Sequence, residues 1–370
     1  MMNSNTRLAA SSAAIALALL ALTGCAPGAS GSPDGEGGSL THVRFALPTA
    51  MGANNAPLAV AAELGYFEEE GLDVEIINTN DSASIVQGID AGSLEIGSTP
   101  PEPILQAITQ GSELELTYNY LRQQTGSIAV LADGPIASIS DLEGGVIGQA
   151  SLGISNMLLS NGILASEGLE ENADFSNLAV GTGAAALQAL TEGHVDALSL
   201  WDTEYAAFEA EGVELRYLTT DEVQSLFSTT FFAAPAYAAE HPEVMIGFGR
   251  AMAKATLFTA TNPEAALRLL YAGFPDSRIA GASEDEQLEK DLIALERRVE
   301  VLTAQNPQQN GTWGAYTPES LEAWTGFALE SGVIDTPVDP STLAQNAFVE
   351  EYNAFDSEAV IQAANDWTGA

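Results

Sequence analysis

Apolar and polar positions follow two alternating rhythms along this chain. His42-Val43-Arg44-Phe45-Ala46-Leu47 and Leu72-Asp73-Val74-Glu75-Ile76-Ile77 alternate with a period of two, and each predicts a strand with one exposed face. Between and after them lie stretches of helical period, Ala56 to Leu64, Ser82 to Ala91 and Glu102 to Thr109. Gly65 and Gly92 follow two of these as stop signals, and Asp81 or Ser82 precedes one as a cap. Leu94 to Gly97 and Leu114 to Tyr120 continue the series as strands. A middle block repeats it, with strands at Ser127 to Leu131, Val146 to Gly148, Leu178 to Val180, Ala197 to Leu200 and Glu214 to Leu218. Beyond Phe232 the period is helical: Pro242 to Asn262, Pro263 to Tyr271, Ser283 to Thr303 and Pro318 to Ser331, with prolines where first-turn prolines belong. Alternating short strands and longer helices predict an α/β protein.

The N-terminus has a different texture. Arg7 precedes an uncharged run from Leu8 to Leu22, whose 15 residues are fewer than a bilayer span needs. The run ends at Leu22-Thr23-Gly24-Cys25, which resembles the bacterial lipobox and predicts a signal peptide over residues 1–24 with lipidation at Cys25. Cys25 is the sole cysteine in the chain, so no internal disulfide competes for it. Residues 25–40 are rich in Gly, Ser and Pro and predict a flexible tether. An exported body held at the outer face of the cytoplasmic membrane by its lipid alone is the expected location.

Charge narrows the function classes. The net charge is −40, and removing Arg7 with the signal leaves 10 Lys and Arg against 51 Asp and Glu. No basic patch can form, which excludes nucleic acid as a partner and argues against charge-driven binding to anionic lipid. The acids are spread along the whole chain, as a soluble surface outside the cell would have them. His42, His194 and His241 lie in unrelated segments, and no metal-ligand or nucleophile–base spacing is present. No cofactor, no metal and no enzymatic activity are expected.

Five segments, in order, carry a family likeness. Ala59 to Glu75 (AVAAELGYFEEEGLDVE) resembles the opening of the nitrate, sulfonate, taurine and thiamine-precursor family of ABC-transporter substrate-binding lipoproteins. Gly88 to Gly97, Asp141 to Gly148, Ala189 to Ala197, and the pair His241-Pro242-Glu243 and Asn262-Pro263-Glu264 are similar to later motifs of that family. Asp141 to Gly148 lacks the lysine-like positions of the family pattern. The resemblance implies a two-lobed periplasmic-binding-protein-like fold of type II, with two crossover segments and a ligand cleft between the lobes. One lobe would comprise residues 41–130 plus 232–370, the other 131–231, with crossings near Leu131 to Asp133 and near Thr230 to Phe232. It also implies a small-molecule ligand, a monomeric body and an importer permease with its ATPase as partners. An enzyme of the pyrimidine-synthase branch and a non-transport receptor are the competing classes; the former has a cysteine-rich motif that this chain lacks.

In open α/β sheets, ligands bind beyond the carboxyl ends of strands. That rule selects Asn54 and Asn55 after the first strand, Thr99 and Glu102 after the third, and Tyr120 at the end of the next. In the middle block it selects Ser151 and Gly153, Thr182, and the pair Trp201 and Asp202. Ser151, Gly153 and Ser155 could form an amide nest for an oxyanion. Gly181-Thr182-Gly183 lacks the fuller glycine pattern of a dinucleotide site. Trp201 offers a stacking face, and Glu102 with Asp202, if both line the cleft, favours a thiamine-precursor-like pyrimidine or an amine. A sulfonate, taurine or nitrate held by neutral donors is the alternative.

Overall fold

The computed structural model describes residues 39–304 and 312–369. Cys25 and the apolar run before it lie outside the described residues. Strands β1 (Thr41–Leu47), β2 (Leu72–Asn78), β3 (Ile96–Thr99) and β4 (Glu115–Asn119) come first. They are followed by β5 (Gly126–Leu131), β6 (Val146–Gln149), β7 (Ser176–Ala179), β8 (Ala197–Trp201), β9 (Leu215–Leu218) and β10 (Thr230–Ala233). They form two five-stranded sheets in the orders β2-β1-β3-β10-β4 and β7-β6-β8-β5-β9. The two sheets share one topology. In each, three parallel strands are joined by one antiparallel strand, β10 in the first and β5 in the second, that enters directly from the other sheet.

This exchange moves the expected lobe boundaries. The strand ending at Leu131 belongs wholly to the second sheet, where Gly126 to Ala129 pair with β8. The first crossing therefore lies between Asn119 and Gly126, ahead of the expected Leu131 to Asp133. The return crossing lies between Leu218 and Thr230, and Thr230 already pairs with Thr99 in the first sheet. Periodicity predicts the strand ending at Leu131 but not the sheet it joins, and it does not predict β10, whose four residues are all buried and show no alternation. The crossings are tied to each other: Leu121 and Ser228 exchange backbone hydrogen bonds with Thr229 and Leu121, and the Thr125 and Ser228 hydroxyls lie 2.9 Å apart.

The first sheet buries an aromatic core in which Phe45, Phe231, Phe248, Tyr118 and Tyr120 pack ring on ring. Its outer layer includes the long helix Pro242–Thr261, which the proline at its first turn opens as expected. The helix Glu284–Leu302 starts at a capping box, in which Ser283 and Glu286 satisfy each other's backbone amides. It packs against Pro263–Gly273 on one side and against Asp202–Ala210, which follows β8, on the other. The C-terminal segment thus reaches both sheets. Trp324 of the helix Pro318–Glu330 does so as well: it is fully buried, and its indole N–H donates to the Phe227 carbonyl in the return crossing. Among the described residues no helix is long and apolar enough to cross a membrane.

Candidate ligand site

The strand ends of the two sheets meet at a cleft with two chambers. The outer chamber is a cavity of about 530 Å³. Its first wall is the loop after β1, from Pro48 to Asn54. The opposite wall comes from the ends of β6, β7 and β8: Ala150 and Ser151, Gly181 and Thr182, and Trp201, Thr203 and Glu204. A third wall, Ser277, Ile279, Gln287, Asp291 and Ala294, comes from the Glu284–Leu302 helix and the turn before it. Behind this space lies an inner chamber of about 60 Å³, against the crossings at Thr125 and Thr229. Pro48, Thr49, Asn54, Ile154 and Trp201 line both chambers.

Each wall is set locally. Asn54 and Asn55 both donate through Nδ2 to Thr49 Oγ1, at 3.2 and 3.1 Å, and so hold their own loop in shape. Trp201 ends β8. The turn after it is pinned by the Tyr205 hydroxyl, which accepts from Leu200 N at 2.7 Å and lies 2.8 Å from the Ser127 carbonyl. Asp202, next in the chain, is 8% exposed and meets Arg298, which is 4% exposed. Arg298 Nε donates to Asp202 Oδ2 at 2.8 Å, its second nitrogen donates to Asp202 Oδ1, and its third lies 3.3 Å from the Asn54 carbonyl. One buried guanidinium therefore joins the β1 loop, the Asp202–Ala210 helix and its own helix.

This arrangement corrects part of the expected site. Asn54, Ser151, Thr182 and Trp201 lie on the outer wall, and Asn54, Asn55, Tyr120 and Trp201 on the inner one. Thr99, Glu102, Gly153 and Asp202 line neither chamber. Asp202 is spent on Arg298. Glu102 is buried beyond Ser98 and Pro100, and burial pushes its carboxyl up to about 8, so it is largely uncharged at neutral pH. The acidic cleft built on Glu102 and Asp202 is therefore absent. Of the expected amide nest, the Ser155 N–H is taken up by Ser82 Oγ at 3.3 Å, and the Gly153 carbonyl accepts from Ser82 N at 3.0 Å. Those groups join the two halves of the body. Ser151 Oγ donates to the Asn80 carbonyl at 3.2 Å in the same seam. A Cβ on Gly153 would stand 2.0 Å from Asp81 Oδ2, so only glycine admits this approach.

Two other acids line the outer chamber. Glu204 accepts from the Gly183 amide at 2.7 Å, so that N–H of the glycine loop is already in use. Burial pushes its pKa up, partly opposed by that hydrogen bond. Asp291 accepts from the Tyr271 hydroxyl at 2.7 Å and from Gln287 Nε2 at 3.0 Å, both on one oxygen. Among the described residues no Lys or Arg lines this chamber. The strand-end rule could not find Gln287, Asp291 and Ala294, because they sit mid-helix. Their spacing of four and three places them on one helical face, the signal a search of the C-terminal helices could have used.

The three histidines stand at the surface beside acids, His42 with Asp73 and Glu75, His194 with Glu192 and His241 with Glu243. Among the described residues no group of His, Cys, Asp and Glu could hold a metal ion.

Comparison with known proteins places this architecture. A family model described as NMT1/THI5 like matches residues 52–266. The chain is 24% identical to the formylaminopyrimidine-binding protein of Halalkalibacterium halodurans, over 90% of this chain and 96% of the relative. It is 26% identical to the riboflavin-binding protein RibY of Chloroflexus aurantiacus, over 88% of this chain and 90% of the relative. Among solved structures it is similar to the alkanesulfonate-binding protein SsuA from Xanthomonas axonopodis pv. citri bound to MOPS. That likeness has a TM-score of 0.60 and 18% identity, covering 82% of this chain and 98% of the other, and it concerns the fold. The family-model match over residues 52–266 makes this chain a member of the NMT1/THI5-like family, and its two sheets and its likeness to solved structures are those of the two-lobed periplasmic-binding-protein fold of type II.

Proposed function

We propose that this protein is the extracytoplasmic solute-binding component of an importer, and that its two lobes close on a small nitrogen heterocycle, neutral or cationic. The carrying observation is the outer chamber. Its volume of about 530 Å³ suits a ring-bearing molecule and would leave a nitrate or taurine surrounded by water. Glu204 and Asp291 put negative charge on its wall, the indole of Trp201 offers an aromatic surface, and among the described residues no Lys or Arg lines it to receive a sulfonate. The preference for a pyrimidine or amine is thus kept, with Trp201 as first expected and with Glu204 and Asp291 in place of Glu102 and Asp202. The names of the two similar binding proteins, one for a formylaminopyrimidine and one for riboflavin, support the same class of ligand. Both of those relatives are named as binding proteins, which supports binding over a pyrimidine-synthase activity.

The lobes in this reading are residues 41–119 with 230–369 and residues 126–218, joined by the two crossings. Lipidation at Cys25 would hold a monomeric body at the membrane beside a permease and its ATPase. Metabolic labelling with palmitate, compared between the protein and a Cys25→Ala variant, tests the anchor. The ligand class is tested by thermal shift of the purified protein against pyrimidines, riboflavin and thiamine on one side and nitrate, taurine and alkanesulfonates on the other. A ligand at a hundredfold excess over Kd stabilises the native state by about 2.7 kcal/mol. A shift with the heterocycles alone supports the proposal, and a shift with the anions alone overturns it.

A further inference from the structure

The inner chamber holds two buried hydrogen-bond donors with nothing in the protein to bond. Trp201 Nε1 and Ser155 Oγ each lack a hydrogen-bond partner, although their residues are only 8% and 1% exposed and both line this chamber. Most of the neighbouring polar groups are in use. Asn55 Nδ2 is bonded to Thr49 and Ala50, Asn156 Nδ2 donates to the Leu200 carbonyl at 2.9 Å, and Thr125 is paired with Ser228. A buried donor left unsatisfied is destabilising, so a pair of them in one small space is a preformed demand for an acceptor.

The acceptor that fits is an uncharged oxygen. Among the described residues Arg298 is the one Lys or Arg on this wall, and Asp202 already neutralises it through two hydrogen bonds. A carboxylate or sulfonate would enter with no free counter-charge and lose its hydration. Tyr120, whose phenol burial keeps protonated, adds another neutral wall. Ser155 also opens the eleven-residue helix Ser155–Ala165, whose N-terminal partial positive charge favours an oxygen atom without requiring a full negative charge. A space of about 60 Å³ takes a substituent of a few heavy atoms and excludes a second ring.

We infer that the inner chamber is a specificity subsite for a short, uncharged oxygen-bearing substituent, a hydroxyl or carbonyl group on the heterocycle held in the outer chamber, with Ser155 and Trp201 as its donors. This inference rests on the solute-binding reading above. Calorimetric titration of the purified protein with 4-amino-5-hydroxymethyl-2-methylpyrimidine and with 4-amino-2,5-dimethylpyrimidine, which lacks only the oxygen, tests it. The hydroxymethyl compound is expected to bind roughly ten- to hundredfold more tightly. Ser155→Ala and Trp201→Phe should each shrink that ratio; because Trp201 also walls the outer chamber, its variant is read through the ratio of the two affinities and not through either affinity alone. The comparison of the two ligands on the unaltered protein needs no variant to fold. Equal binding of both compounds, or variants that weaken both equally, overturns the subsite and leaves the solute-binding reading standing. Binding of neither compound, nor of riboflavin or thiamine, removes the solute reading and the subsite with it.

Discussion

The inner and outer chambers share the Trp201 wall and differ in almost everything else. The inner one is small, electrically neutral and walled by strand ends and crossings. The outer one is roomy, acidic and completed by a helix from the C-terminal segment. The difference follows from where charge is consumed. Arg298 and Asp202 cancel each other at the back of the cleft, so what remains there is hydrogen-bonding demand. Glu204 and Asp291 bond only to neutral groups, an amide, a phenol and a carboxamide, so their charge remains available to a ligand. One chamber is built to read shape and a neutral acceptor, the other to read positive or nitrogen-rich character.

The largest effect is expected from breaking the neutrality at the back. Arg298→Met leaves Asp202 buried without its counter-charge and should cost about 3–5 kcal/mol of stability, read by chemical denaturation. Arg298→Met combined with Asp202→Leu should recover most of that loss, because a buried pair replaced by apolar side chains is often neutral. A single variant that loses less than about 1 kcal/mol would mean that Asp202 is hydrated in the fold, and the neutral character of the inner chamber would be wrong.

Glu102 offers a second test of the same region. Its ordinary value is 4.5, and burial pushes it up to about 8. The folded protein therefore keeps a proton that the unfolded chain has lost. Stability from this group is full below about pH 4.5, falls by at most about 1.4 kcal/mol per unit as pH rises toward 8, and is level above. Glu102→Gln should remove that slope and make the variant more stable than the parent at pH 8. Identical slopes in the two proteins would show that Glu102 carries its charge in the fold and adds a negative potential behind the inner chamber.

The legibility of the two chambers in the sequence was just as unequal. Period-two alternation locates strand ends, and strand ends supplied Asn54, Asn55, Tyr120, Ser151, Thr182 and Trp201, which the structure places on the chamber walls. Composition and residue type then misled on charge. Asp202 reads as a free acid beside a tryptophan because its partner lies far along the chain at Arg298. Glu102 reads as a helix-start carboxylate because burial is a property of the packed body. Gln287 and Asp291 were missed because nothing local says which surface a helical face will meet. Gly153 was read as nest-forming, whereas its lack of a side chain serves the approach of Asp81.

Closure over the outer chamber comes next in size. Gly153→Ala places a methyl group against the Asp81 carboxylate and should hold the seam apart, weakening ligand binding by roughly tenfold by the tightness of the contact. Asp81→Ser shortens the opposing side chain while keeping a good helix cap for Ser84, so the double variant should regain most of the affinity. Calorimetric titration of the four proteins checks both statements. If Gly153→Ala binds as the parent does, the seam from Asn80 to Ser82 does not limit closure.

The smallest effect concerns the acids themselves, and it separates the chambers most directly. Thiamine carries a permanent positive charge and riboflavin none. If the outer chamber reads charge, Glu204→Gln and Asp291→Asn should each weaken thiamine roughly three- to tenfold and leave riboflavin nearly unchanged, the size expected for a partly screened charge pair. The pH dependence has a definite sign. Burial raises the Glu204 pKa, so its carboxylate takes up a proton sooner than an ordinary glutamate as pH falls. Thiamine affinity should therefore decline at mildly acidic pH in the parent and decline less in Glu204→Gln, while riboflavin stays level in both. Equal losses for the two ligands would mean that Glu204 acts by holding the Gly183 turn, through its 2.7 Å hydrogen bond to that amide, and that the outer chamber is shaped rather than charged toward its ligand.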